Sequence, residues 1–157
     1  MSIKNAQTGF TLIEVVVVIT ILGILAAFAV PRFASLEGQA RLAATQSLAG
    51  SLRSGAALAH AVWMANGNPA ATSVTMEDQT VTMVNGYPSV AATGIQRTLV
   101  EFTGFAVTTP VAGTRRFTKT SPSGAPIATC FVDYIAPAAA NQAPQITVTP
   151  AAPATSC

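Results

Sequence analysis

Gly9-Phe10-Thr11-Leu12-Ile13-Glu14 opens an apolar run that continues to Val30. Residues 10–30 would form an α-helix about 31 Å long, which matches a hydrocarbon core of roughly 30 Å. Glu14 carries the single charge in this run. Insertion scales put a charged side chain at the centre of a bilayer at roughly 2.5–3.5 kcal/mol, so such residues usually have a partner or a function. The stretch predicts a membrane-length helix in which Glu14 needs an explanation.

Three classes of N-terminal segment compete for this run. A conventional secretory signal has an apolar region of about 7–15 residues before a small-residue cleavage site. The run is longer than that, although Ala26-Ala27-Phe28-Ala29-Val30 offers weak sites of this kind. A plain transmembrane anchor explains the length and the position of Lys4, but it gives Glu14 no purpose. The third class, a short leader that is cleaved off ahead of an apolar helix, explains the length and also accounts for Gly9 and Glu14.

The short basic leader that ends at Gly9, followed by Phe10 and by Glu14 four residues on, resembles the prepilin signature of type IV pilins. The resemblance implies that a prepilin peptidase cuts between Gly9 and Phe10 and N-methylates the new amine of Phe10. It also implies three regions. These are a leader at 1–9, a transmembrane and filament-core helix half at 10–31, and a globular domain at 32–157.

The same resemblance gives Glu14 a role in assembly. After cleavage, Phe10 would carry an ammonium group one helical turn from the Glu14 carboxylate. The Phe10 ammonium of a neighbouring subunit could pair with Glu14 in an apolar filament core, where an unpaired charge is costly. Glu14 would then favour the correct axial register between subunits. The alternative is a glutamate that snorkels at the edge of the membrane.

Gly23 and Pro31 are expected to bend the apolar helix. Glycine costs about 1 kcal/mol relative to alanine in a helix interior. Proline removes one backbone hydrogen bond and clashes with the carbonyl four residues earlier. We therefore expect a kink between them. In type IV pilins the region bounded by matching Gly and Pro positions can lose helicity inside the filament.

After Pro31 the pattern becomes amphipathic and predicts a second helix half over about 32–66. One face of that half consists of Ala44, Leu48, Leu52, Gly55, Ala59 and Val62, with Leu58 and Trp63 at its edges. The helix should end at Asn66-Gly67-Asn68-Pro69, because a glycine followed by proline stops a helix.

The remainder alternates short β-prone runs with turn residues and predicts an antiparallel sheet packed on the helix. The fold class is therefore α+β, and the resemblance implies the type IV pilin fold. Expected strands lie within 74–84, 102–109, 115–120, 127–135 and 145–149. Asn85-Gly86 is a strong turn signal, and residues 89–99 are predicted to form a short helix with Ser89 as its N-cap.

Two cysteines, Cys130 and Cys157, lie downstream of the membrane-targeting segment. An even pair in such a position implies a disulfide formed in an oxidising compartment. The chain-entropy model assigns such a loop roughly 3.5 kcal/mol of stabilisation. The loop resembles the disulfide-bounded C-terminal loop of type IVa pilins, and the sequence 129–134 looks most like that of the mannose-sensitive haemagglutinin pilins.

Motifs for catalysis or cofactor binding are absent from the sequence. His60 is the single histidine and falls on the polar side of the helix, where we expect an exposed or subunit-contact residue. Glu77-Asp78 is an adjacent pair, and chain neighbours do not converge as a general acid and base would. No metal-ligand spacing, phosphate loop or nucleophile motif occurs. We therefore predict no enzyme, no cofactor and no metal.

The charge pattern argues against nucleic-acid binding. Charged residues make up 9% of the chain and the net charge is +2. The basic cluster Arg115-Arg116-Phe117-Thr118-Lys119 is too small for a nucleic-acid footprint and is expected to be a solvated hairpin.

The resemblance implies a structural subunit of a bacterial type IV pilus that serves adhesion or motility. Its expected partners are copies of itself, the prepilin peptidase/methyltransferase and the pilus assembly machinery. It would be held in the inner membrane before assembly and in an extracellular filament afterwards. Two alternatives remain: a pseudopilin of a type II secretion system, and a membrane-anchored periplasmic binding domain.

Overall fold

The computed structural model of the chain describes residues 9–67, 70–140, 142–150 and 157. It divides into two compact units, the first ending at Glu37 and the second beginning at Gly38. Residues 1–8 of the predicted leader, including Lys4, lie outside the described residues, as do Asn68 and Pro69 of the predicted helix stop.

Helix α1 spans Leu12–Ala65 and contains Pro31. It begins two residues later than the expected start at Phe10. It ends at the predicted stop, where the Gly67 amide donates to the Met64 carbonyl at 3.0 Å. Gly67 has a φ of +62°, a left-handed conformation that glycine adopts readily. The helix forms over 54 residues because apolar and small side chains dominate it, with Gly23 and Pro31 as its weak points.

Seven strands follow within the described residues of the second unit. The predicted antiparallel pairing is confirmed, and the strands are divided between two sheets. One sheet has the order β1-β2-β3, with β1 at Ser73–Met76, β2 at Gln79–Val84 and β3 at Tyr87–Pro88. The other has the order β4-β5-β6-β7, with β4 at Phe105–Thr108, β5 at Thr114–Thr120, β6 at Pro126–Ile135 and β7 at Gln145–Thr149.

Two tight turns shape the three-stranded sheet. Glu77 and Asp78 join β1 to β2 with φ values of 46° and 61°, and Asn85 and Gly86 join β2 to β3 with 51° and 83°. Two-residue hairpins with positive φ at both central positions match the right-handed twist of the strands. The Asn85-Gly86 turn is as predicted. Glu77 and Asp78 are exposed turn residues.

The predicted helix over residues 89–99 is wrong apart from one short turn. Its 3₁₀ turn covers Ile95–Thr98. Ser89 is not an N-cap, because its amide donates to the Thr82 carbonyl at 2.8 Å and its hydroxyl lies 2.6 Å from Thr82 Oγ1. The segment instead packs Ile95 fully into the core. Burial of that side chain and cross-strand hydrogen bonds outweigh the local helical preference.

The second half of α1 packs on both sheets. The larger core cluster contains Leu48, Ala49, Leu52, Ala56, Ile95, Phe117, Val132 and Tyr134, and the smaller one contains Ala59, Val74, Val81 and Met83. The predicted helix face is therefore the packed one. Leu58, predicted at its edge, is 57% exposed. The buried face extends toward Ala49 and Ala56 instead.

Tyr134 of β6 connects the two sheets. Its hydroxyl donates to the carbonyl of Pro88 in β3 at 2.7 Å, and both residues are fully buried. Burial raises the pKa of Tyr134 well above its ordinary value, and the nearby Tyr87 adds to the shift. A neutral tyrosine thus satisfies a buried carbonyl at the junction of the sheets.

The basic cluster on β5 is not the predicted solvated hairpin, because β5 lies between two other strands. Arg116 Nε and Nη2 donate to the two carboxylate oxygens of Asp133, each at 2.7 Å. The guanidinium carbon of Arg116 lies 3.6 Å from the ring centroid of Phe131. The hydrogen bond to Asp133 raises the pKa of Arg116. Arg115 and Lys119 also have hydrogen-bond partners within the second unit.

A disulfide joins Cys130 of β6 to Cys157. Both cysteines are buried, and the Thr45 hydroxyl of α1 lies 3.4 Å from Cys130 Sγ. Arg41 Nη1 donates to the Cys157 carbonyl at 3.1 Å. The second half of α1 thus contacts both ends of the disulfide loop.

Candidate assembly site

The segment that contains the predicted cleavage site precedes the helix. Gly9, Phe10 and Thr11 are not helical, and Phe10 is 84% exposed. Thr11 Oγ1 accepts a hydrogen bond from the Glu14 amide at 3.3 Å. This is the geometry of an N-cap residue, whose side chain satisfies one of the free amides of the first turn. The peptide bond between Gly9 and Phe10 therefore lies in an exposed, non-helical segment.

The first half of α1 exposes apolar side chains all around the helix. Among those between 43% and 82% exposed are Leu12, Ile13, Val15, Val16, Val17, Val18, Ile19, Ile21, Leu22, Ile24, Leu25, Phe28 and Val30. By length and composition, α1 could cross a membrane, and its most apolar window has a mean hydropathy of 2.8. A helix that is apolar on every side requires apolar surroundings, from lipid or from other helices.

Glu14 differs from the other polar side chains of residues 10–30. Thr11 is engaged as the cap, and the Thr20 hydroxyl donates to the Val17 carbonyl at 2.8 Å. For the Glu14 carboxylate, the part of the chain that the structure describes offers no hydrogen-bond or ion-pair partner. Glu14 also lies in the first turn of α1, where a negative charge interacts favourably with the helix dipole.

The remaining predicted site residues are distributed over both units. Gly23 and Pro31 lie further along α1, and a side chain added at Gly23 would meet no atom within 4 Å. The kink between them stays a prediction. N-methylation of Phe10 and cleavage after Gly9 likewise stay predictions. The predicted disulfide residues Cys130 and Cys157 lie in the second unit.

His60 is better packed than expected. Its Nδ1 lies 2.7 Å from the Gly86 carbonyl, and its ring stacks on Tyr87 with centroids 4.1 Å apart. The expectation of an exposed residue is corrected to a half-buried one, because the β2–β3 turn covers this side of the helix. Among the described residues, no group of three or more His, Cys, Asp or Glu could hold a metal ion.

Thr11 is the site residue that the sequence interpretation missed. A signal was present, because Thr11-Leu12-Ile13-Glu14 has the Ser/Thr-x-x-Glu spacing of a capping box. A helix that starts at Phe10, as the apolar run predicts, would place Thr11 in the helix interior instead of at its cap.

Comparison with protein families finds a match at the N-terminus. Residues 4–30 match the model of the prokaryotic N-terminal methylation motif. This range includes Gly9, Phe10, Glu14 and Gly23, and it ends one residue before Pro31.

Several curated pilus proteins are similar to the chain. It is 53% identical over 51 residues to the type IV narrow pilus major component PilA5 of Thermus thermophilus, which covers 32% of this chain and 44% of that protein. It is 38% identical over 92 residues to the type IV major pilin protein PilE1 of Neisseria gonorrhoeae. This match covers 53% of this chain and 42% of that protein. It is 46% identical over 50 residues to the type IV major fimbrial protein FimA of Dichelobacter nodosus. This match covers 32% of this chain and 31% of that protein.

The chain spans less than half the length of these curated relatives. No solved structure matches it. The methylation motif falls on the apolar N-terminal segment that includes the start of α1, and the structure places antiparallel β-strands after that helix. The chain therefore carries a prokaryotic N-terminal methylation motif and is similar, over part of its length, to type IV major pilins.

Proposed function

We propose that this chain is a structural subunit of a bacterial type IV pilus that polymerises through its N-terminal helix. One observation carries the proposal. The first half of α1 is apolar on every side, yet it holds one carboxylate, Glu14, for which the described chain provides no partner. In a plain membrane anchor this carboxylate would have only the favourable helix dipole of the first turn, whereas a polymerising helix can also pair it with a cation of a neighbour.

The pairing follows from the chemistry of leader removal. Cleavage between Gly9 and Phe10 creates an ammonium group on Phe10, and methylation of a primary amine leaves it cationic at neutral pH. Helices in lipid gain little hydrophobic energy by associating, because lipid tails are as apolar as leucine. Packing and the Phe10–Glu14 pair between subunits would therefore supply the selectivity. Gly23 and Pro31 would let the helix bend in the filament.

The division of the chain follows the same proposal. Residues 1–9 are the leader, and residues 10–31 are stored in the inner membrane and then form the filament core. Residues 32–157 form the globular domain, including the helix half at about 32–66 and the loop closed by Cys130 and Cys157. The partners are copies of the chain, the prepilin peptidase/methyltransferase and the assembly machinery. The finished filament is extracellular and serves adhesion or motility.

The relatives support a role without catalysis, because their names describe components of pili and fimbriae. We further assign the chain to the type IVa class, near the mannose-sensitive haemagglutinin pilins. The disulfide between Cys130 and Cys157 and the sequence of β6 around Cys130 support this assignment.

A pseudopilin of a type II secretion system is the second candidate, since it would share the N-terminal half. Many major pseudopilins bind calcium in the region where this chain has its disulfide, which favours the pilus. A membrane-anchored periplasmic binding domain is the third candidate, and it would have no need of Glu14.

Mass spectrometry of the mature protein, taken from sheared surface filaments, tests the proposal. We expect a chain that begins with N-methylated Phe10. An intact Met1, or cleavage near Ala29, would reject both pilin candidates. A processed chain that stays with the cells and is missing from sheared filaments would favour the pseudopilin.

A further inference from the structure

We propose that Thr11 is a positioning residue for leader removal, because its side chain caps α1 and keeps the Gly9–Phe10 peptide bond outside the helix. The inference rests on the proposed function, which supplies the cleavage. It adds a residue to which the predicted processing chemistry gave no role.

The first step of the argument is the hydrogen bond at the start of α1. Thr11 Oγ1 accepts the Glu14 amide at 3.3 Å, and the helix begins at Leu12. Threonine is a favoured N-cap residue, and Glu14 lies three residues later, at the acidic position of a capping box. Leu12 and Ile13 could not take over the cap, because their side chains lack an acceptor.

The second step concerns the peptide bond itself. Hydrolysis adds water to the Gly9 carbonyl carbon, breaks the bond to the Phe10 nitrogen, and leaves a Gly9 carboxylate and a Phe10 ammonium. In a helix this carbonyl would accept a hydrogen bond from the amide four residues later, and neighbouring turns would crowd it. Outside the helix, neither the Gly9 carbonyl nor the Phe10 amide is held in a helical hydrogen bond. A side chain added at Gly9 would meet no atom within 4 Å, and Phe10 is exposed.

The third step is what happens without the cap. In apolar surroundings an unsatisfied amide costs several kcal/mol, so a helix end gains by finding carbonyl partners. When Thr11 cannot supply an oxygen, extension of α1 through Phe10 and Gly9 satisfies the amides of the first turn. Loss of a cap typically shifts such an equilibrium about five-fold, which corresponds to about 1 kcal/mol. The cleavable population would fall by up to this factor, with the full reduction of about five-fold reached when the extended helix becomes the major form.

The test compares cleavage of full-length precursors in membranes that contain the prepilin peptidase. Thr11→Val keeps the shape of threonine and removes the cap. Thr11→Ser and Thr11→Asn keep a cap oxygen, and asparagine does so with a different shape. Thr20→Val is the matched control, because it removes a hydroxyl that bonds within the helix at Val17. The readout is the initial rate of leader loss, measured by mass spectrometry.

We expect Thr11→Val to lower the rate by up to about five-fold, with Thr11→Ser, Thr11→Asn and Thr20→Val close to the unchanged chain. Equal rates for all variants would overturn the inference. Slow cleavage of both Thr11→Val and Thr11→Asn would also overturn it, because the peptidase would then be reading the shape of threonine. If the unchanged precursor is not cut at all, the proposed function fails, and this inference fails with it.

Discussion

The two halves of α1 belong to one continuous helix but differ in the burial of their apolar side chains. From Leu12 to Val30 nearly every large side chain is exposed, whereas from Leu48 to Ala59 one face is buried against two sheets. The second half separates small and apolar residues from polar ones around the helix. The first half has no such polar face. A helix with one apolar face can be satisfied by its own chain, while a helix apolar all round needs lipid or other copies.

Polar groups show the same contrast. In the second unit the Tyr134 hydroxyl has the Pro88 carbonyl, and Arg116 has Asp133. In the first unit the Glu14 carboxylate has no partner within the described chain. The second unit therefore pairs these polar groups within itself, whereas under the proposed function Glu14 would be paired by another subunit.

Truncating one leucine in each half of α1 should give the largest difference in the free energy of unfolding. Leu52→Ala should lower the free energy of unfolding of the globular unit by about 2–5 kcal/mol, because it opens a cavity under a fully buried side chain. Leu22→Ala, at a residue that is 58% exposed, should leave that free energy unchanged. Denaturant unfolding in detergent, followed by Trp63 fluorescence, measures both. A similar loss for Leu22→Ala would break the comparison.

Two glycines of α1 give a smaller contrast. A Cβ at Gly55 would lie 2.5 Å from Thr98 Oγ1 and 3.0 Å from the Thr98 carbonyl oxygen. Gly55→Ala should therefore lower the unfolding free energy of the globular unit by about 1–3 kcal/mol through overpacking. Gly23→Ala meets no atom and should favour the helix by about 1 kcal/mol, with no effect on globular unfolding. Thermal unfolding and helical circular dichroism separate the two effects. A stabilised Gly55→Ala would show that the packing of α1 on the 3₁₀ turn is loose.

Tyr134→Phe should have the smallest effect near pH 7, a loss of roughly 1 to 2 kcal/mol, because the buried Pro88 carbonyl loses its donor. The pKa of Tyr134 is raised in the folded state, so the folded chain keeps the proton that an unfolded chain releases above about pH 10. Its contribution is therefore complete below about pH 10 and is lost as the pH rises further.

The variant should consequently lose less stability than the unchanged chain between pH 9 and 11, in the range of tyrosine ionisation. Tyr87→Phe is the comparison variant, because it keeps the ring that stacks on His60 and removes only the smaller of the two causes of the raised pKa of Tyr134. Parallel pH profiles for the unchanged chain and Tyr134→Phe would contradict the assignment. Denaturant unfolding across this pH range provides the measurement.

The elements predicted from sequence are those that depend on local signals. The amphipathic spacing from Leu48 to Ala59 identified the packed face, and Asn85-Gly86 identified the turn between β2 and β3. Cys130 and Cys157 are joined as their number and context implied. Periodicity, turn chemistry and cysteine count are properties of neighbouring residues, so a sequence contains them directly.

Other features depend on residues far apart in the chain. The division into two sheets, the burial of Ile95 and the partners of Arg116 arise from contacts that no local pattern encodes. At the candidate site, Gly9, Phe10 and Glu14 were identified by their spacing. Thr11 could not be assigned from sequence, because a threonine at the edge of an apolar run is compatible with a helix interior and with an N-cap. The hydrogen bond from the Glu14 amide to Thr11 Oγ1 identifies it as the N-cap.

Filament yield from a Glu14→Gln variant tests the central claim most directly. The amide keeps the shape of glutamate and removes the charge that would pair with the Phe10 ammonium. Glu37→Gln makes the same change in the same helix beyond the apolar run. The account predicts that Glu14→Gln enters the membrane and loses its leader normally yet yields few sheared filaments, while Glu37→Gln assembles normally. Filaments from Glu14→Gln at the yield of the unchanged chain would contradict it.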